Sequence, residues 1–115
     1  MPQKLYIQKA LTSIQIVHII RYTEITFDPA KNARNIRKRG LSFERAEDFD
    51  FDTASFASDT RRAYGEDRIV AVGYLDGRLH VLCFVETEAG IRVISLRKAN
   101  LREAKRYGKP QTLDR

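Results

Sequence analysis

The chain alternates polar and apolar residues over Glu24-Ile-Thr-Phe-Asp28, which predicts a short strand. Asp28-Pro29 then opens a helix, because aspartate accepts hydrogen bonds from free backbone N–H groups and proline fits the first helical position. That helix runs through Lys31, Ala33, Arg34 and Arg37, and Gly40 ends it in a left-handed conformation. Ser42 caps a second helix with Phe43, Ala46 and Phe49 on one side, and the acidic run Glu47 to Asp52 is its solvated end. Residues 57 to 67 read as a polar loop or a frayed strand. Three strands follow, Arg68 to Tyr74, Arg78 to Glu86 and Ile91 to Arg97, separated by turn signals at Asp76-Gly77 and Gly90. Asn100 caps a final helix from Leu101 to Tyr107, Glu103 completes a capping box, and Gly108 and Pro110 stop it. Residues 1 to 23 contain no acid, and the alternation from Ile14 to Ile20 reads as a strand in an N-terminal extension.

This order predicts an α+β domain over residues 24 to 108. It consists of an antiparallel sheet of three to four strands, two N-terminal helices and one C-terminal helix, followed by a polar tail over residues 109 to 115. A chain of 115 residues has room for one core. Its apolar runs are too short to span a bilayer, and the N-terminal one lacks a leader's cleavage site. A single cysteine allows no internal disulfide, which fits a reducing cytoplasm. Two histidines and one cysteine far apart in sequence argue against a zinc site, and the expectation is of no cofactor.

Charge then sharpens the picture. Lys and Arg number 21 against 15 Asp and Glu, a net charge of +6 that favours a polyanionic partner. The surplus is polarised. Arg92, Arg97, Lys98, Arg102, Lys105, Arg106 and Lys109 form one cluster with Glu103 as its only acid, and Arg34, Arg37, Lys38 and Arg39 form another. Gathering cations on one face is what a phosphate backbone requires, and Tyr74, Phe84 and Tyr107 offer rings for base stacking. On an ideal strand Arg92 and Arg97, five residues apart, face opposite ways. His80, on the face of Leu82 and Phe84, reads as a packed residue, and Cys83 as a buried small hydrophobe.

Two runs carry a family resemblance. The first is Phe27-Asp-Pro-Ala-Lys31, then Asn35, Lys38-Arg39-Gly40 and Phe43-Glu-Arg-Ala46. The second is Ile91-Arg92-Val-Ile-Ser95-Leu-Arg97-Lys-Ala99-Asn-Leu-Arg-Glu103-Ala-Lys-Arg-Tyr107. Together they resemble the two signatures of the BrnT toxins across about Ile25 to Tyr107. The family's Lys-His-Gly stands here as Lys38-Arg39-Gly40, and Thr87 stands where relatives often carry an arginine. The resemblance implies a RelE-like fold and a type II toxin–antitoxin ribonuclease that arrests translation. It also implies a BrnA-like antitoxin that neutralises the toxin and connects it to operator DNA.

On that footing the expected chemistry is attack of an RNA 2′-OH on the adjacent phosphate, without an obligatory metal. Arginines grip phosphate oxygens and stabilise the added charge. Arg92, Arg97 and Arg78, with Arg68 beside them, are the expected phosphate ligands. Glu86 is the expected general base, and Lys98 or Tyr107 the general acid. Lys38, Arg39, Lys98, Arg102 and Tyr107 are expected to bind RNA. Two alternatives carry the same residues: a non-catalytic basic module that holds an antitoxin or nucleic acid, and an inactive toxin relative.

Overall fold

A computed structural model describes residues 24–59 and 65–113. The extension read over residues 1 to 23, with its strand and His18, lies outside the described residues. The elements in chain order are β1 (Glu24–Phe27), α1 (Pro29–Arg39), a 3-10 helix (Phe43–Asp48), β2 (Ser55–Ser58), β3 (Arg68–Leu75), β4 (Arg78–Glu86), β5 (Gly90–Lys98) and α2 (Leu101–Tyr107).

The caps act as the local chemistry requires. Asp28 accepts from the Ala30 N–H at 2.9 Å, and Gly40, at φ 65°, donates to the Ile36 carbonyl. The Asn100 side chain accepts from the Glu103 N–H while the Glu103 carboxylate accepts from the Asn100 N–H. Asp76 and Gly77 both take positive φ, 53° and 75°, closing the two-residue hairpin between β3 and β4.

The sheet corrects the expected one. It has five strands in the order β1-β5-β4-β3-β2 and is mixed: β2 to β5 pair antiparallel, but β1 pairs parallel to β5. Parallel pairing needs a long crossover, and here most of the domain lies between the two strands. Ser55–Ser58, half of which fell in the expected polar loop, is the outer strand β2 on β3. The expected second helix is a six-residue 3-10 helix, capped by Ser42.

Two cores flank the sheet. Phe43, Ala46, Phe49 and Phe51 pack on one face against Ile69, Ala71, Leu82, Phe84, Ile91, Val93 and Leu96. On the other face Ala99, just before α2, and Ala104 and Tyr107 of α2 pack against Val72, Tyr74, Leu79 and Val81. Residues 109 to 113, expected as a polar tail, continue along the hairpin: Pro110 accepts from the Tyr74 hydroxyl, and Leu113 donates to the Gly77 carbonyl.

One irregularity sets the position of the charges. Cys83 pairs with Ser95, but the next pair is Phe84 with Val93, so Ile94 is an extra residue in β5. The bulge shifts the phase of the strand. Arg92 pairs with Val85 and Arg97 with Val81, two positions of the same parity on β4. The two arginines therefore share a face, where period-two counting separates them. Arg68 on β3 also pairs with Val85 and joins them.

Candidate functional site

The shared face is populated by ion pairs. Arg97 grips Glu103 of α2 through both terminal nitrogens, at 2.9 and 2.7 Å. Glu66 bridges two arginines: its Oε1 accepts from Arg92 Nη2 at 2.6 Å and its Oε2 from Arg68 Nε at 3.0 Å. The sequence marks Glu103 only as a helix cap and gives no sign of Glu66, because a single carboxylate two residues before Arg68 does not show that Arg92, on another strand, also reaches it. Arg97 thus clamps α2 to β5 as well as lying on the arginine face.

The Arg97 contact dominates in holding the Glu103 carboxyl down to about 2 from 4.5. A carboxylate depressed in the folded state stabilises fully above its unfolded value and loses that contribution as pH falls toward the folded value. Between about pH 4.5 and pH 2 the parent protein will lose stability that Glu103→Gln has already given up, a difference of about 1 kcal/mol in urea unfolding.

The other expected residues lie elsewhere. Glu86 pairs with Ile91, one step out of phase with Val85, so it takes the face opposite Arg68, Arg92 and Arg97. Its Oε2 is buried with no hydrogen-bond partner among the described residues, and burial pushes its pKa up. Arg78 donates to the Ala99 carbonyl at 3.1 Å and pairs with Thr112, securing the end of the hairpin. Lys98 pairs with His80, on the phase opposite Arg97. His80 is buried, with Nδ1 2.7 Å from the Arg78 carbonyl; since a carbonyl only accepts, Nδ1 carries the proton. Burial lowers its pKa, and it is a packed residue, as is Cys83. Tyr107 packs against the α2 core, and Arg102 is exposed on α2.

A group of cations gathers on α1. Lys31, Arg34, Lys38 and Arg39 line an open groove of about 270 Å³ with Asn35, Phe43, Ile94 and Ser95. Residues 31, 34 and 38 recur at helical spacing and so share one side of α1. The helix is held there by Asn35, which is 6% exposed. Its amide donates to the Leu41 and Leu96 carbonyls at 2.9 and 3.0 Å, and its oxygen accepts from Arg39 at 2.9 Å. β1 pairs with β5 only as far as Val93, and the groove begins at Ile94, where that pairing stops. Among the described residues no acid is paired with these four cations.

Lys38 and Arg39 of the expected RNA-binding set are thus brought together, joined by Lys31 and Arg34 and by the bulge residues Ile94 and Ser95. Ser95, paired with Cys83, has the same phase as Arg92 and Arg97, so the groove borders the arginine face. Such an arrangement suits a strand of linked phosphates, with cations along α1 and guanidinium groups beyond Ser95. Among the described residues no three His, Cys, Asp or Glu side chains form a metal-ligating group, and no helix is long and apolar enough to cross a membrane.

The family model described as the ribonuclease toxin BrnT of type II toxin–antitoxin systems matches residues 27–103. That match begins at Phe27, before α1, and ends at Glu103, the clamp residue of α2. No curated protein matches the chain.

Proposed function

The chain belongs to the BrnT family of type II toxin–antitoxin ribonuclease toxins, and from that premise we propose that it is an endoribonuclease whose RNA strand lies in the α1–β5 groove. The observation that carries this reading is the convergence of Lys31, Arg34, Lys38 and Arg39 on the bulge of β5, with no acid paired to them among the described residues.

The proposed reaction is transfer of phosphorus within the RNA. The 2′-oxygen forms a bond to the adjacent phosphorus, the 5′-oxygen leaves, and a proton passes from the 2′-OH to solvent and another to the leaving oxygen. The groove cations align the phosphate and offset the charge gained in the transition state. Guanidinium groups stay protonated, so their contribution is charge and geometry rather than proton transfer. Glu86 lies on the sheet face opposite Arg68, Arg92 and Arg97, and the proposed step assigns it no proton. A BrnA-like antitoxin is the proposed partner, with operator DNA reached through it.

Purified protein incubated with RNA in EDTA will cleave it as fast as in magnesium, read on a denaturing gel. Loss of cleavage in EDTA, restored by a divalent ion, rejects the metal-independent mechanism. Salt-sensitive binding without cleavage under either condition supports a binding module instead.

A further inference from the structure

Arg68 and Arg92 stand on β3 and β5, one on each side of Val85 in the strand between them. Alternate strands are about 9.5 Å apart, yet both side chains reach inward to a single carboxylate. Each Glu66 oxygen is held by a different arginine, at 2.6 and 3.0 Å, and all three side chains are partly buried. One carboxylate is thus shared by two arginines and presents one oxygen to each. Two oxygens of a phosphodiester have a similar bite, and arginine pairs recognise both groups with the same fork geometry.

We propose that Arg68 and Arg92 form a second phosphate subsite, which the chain's own Glu66 occupies at rest and which an RNA phosphate enters by displacing it. Arg92 shares its face with Ser95, which also lines the α1 groove. A strand seated in the groove is thereby led toward the subsite. The assignment rests on RNA being the substrate and adds a point of control: Glu66 weakens binding of any strand that cannot displace it.

Glu66→Gln keeps the side chain's shape and removes its charge, so both arginines lose the carboxylate they share. Binding of a 2′-O-methyl pentanucleotide, which resists cleavage, is measured by fluorescence anisotropy across a salt series. Glu66→Gln will bind it roughly tenfold tighter, with a salt slope steeper by about 0.7, one additional phosphate contact. Arg92→Gln added to Glu66→Gln will remove that gain. Glu47→Gln removes an equal charge from an exposed site and will leave the affinity within about twofold. Glu66→Asp, one methylene shorter, will shift affinity in the same direction as Glu66→Gln and guards against a misfolded single variant. Thermal melts of each protein accompany the titrations.

The subsite is rejected if the Glu66 variants melt normally and bind no tighter, or if Arg92→Gln leaves the gain intact. Either result leaves the ribonuclease reading standing as long as parent protein binds and cleaves RNA. Parent protein that fails to bind the strand overturns that reading first and the subsite with it.

Discussion

Arg34→Gln combined with Lys38→Gln will lower RNA cleavage by at least about a hundredfold and abolish growth arrest, with the thermal midpoint moving by no more than about 1 °C. Both side chains are exposed on α1 and line the groove, and neither carries the hydrogen bonds that seat the helix. Those belong to Asn35 and Arg39, so the double variant separates charge from architecture. Groups that stabilise charge in a transition state are worth about 10²–10³ each when removed singly. Binding should follow the same logic. Loss of two phosphate contacts to a single strand reduces the dependence of log K on log salt by about 1.4. An unchanged salt slope with unchanged cleavage would show that RNA does not enter the groove.

Gly73→Ala will destabilise the fold by about 1–3 kcal/mol, lowering the melting midpoint by roughly 4–8 °C per kcal/mol. A Cβ at Gly73 would lie 2.8 Å from the Ala54 Cβ, 2.9 Å from Phe49 Cζ and 3.1 Å from the Asp50 carbonyl oxygen. The last of these is backbone and cannot swing aside. It is held close because the Asp50 N–H donates to the Tyr74 carbonyl at 2.8 Å, which draws the segment after the 3-10 helix directly onto β3. Relief requires moving Phe49, which packs edge-on against Phe51 at 4.8 Å between ring centres. The groove lies away from this contact, so cleavage per folded molecule should hold at temperatures below the lowered midpoint. Calorimetry beside an activity assay checks both parts, and a parent-like midpoint would refute the close approach.

The family signatures look different once folded. Much of what makes them recognisable is structural. Asn32 accepts from the Phe43 N–H at 2.7 Å, Asn35 seats α1, Gly40 takes the left-handed cap, and Phe43 and Ala46 are buried. In the closing signature Ile91, Val93, Leu96 and Ala99 fill the cores, and Asn100 with Glu103 starts α2. The exposed cations between these anchors are the part left for a ligand. Arg39, at the position of the family histidine, does both: it lines the groove and braces Asn35.

Local chemistry alone determined where most elements begin and end. Asp28-Pro29, Gly40, Asp76-Gly77 and the Asn100–Glu103 box act within a few residues, so their effect is written where they stand. The polarised charge is equally local, and with the two signatures it pointed to an RNA-cleaving toxin family. Tertiary structure decided the rest. β1 and β2 are four residues each, and their pairing with β5 and β3 depends on partners distant in sequence. Glu66 acquires meaning only when β3 and β5 flank β4. Above all, the extra residue at Ile94 reverses the phase of half a strand. Period-two counting assigns Arg92 and Arg97 to opposite faces because it assumes an unbroken ladder, and only the ladder itself records where it breaks.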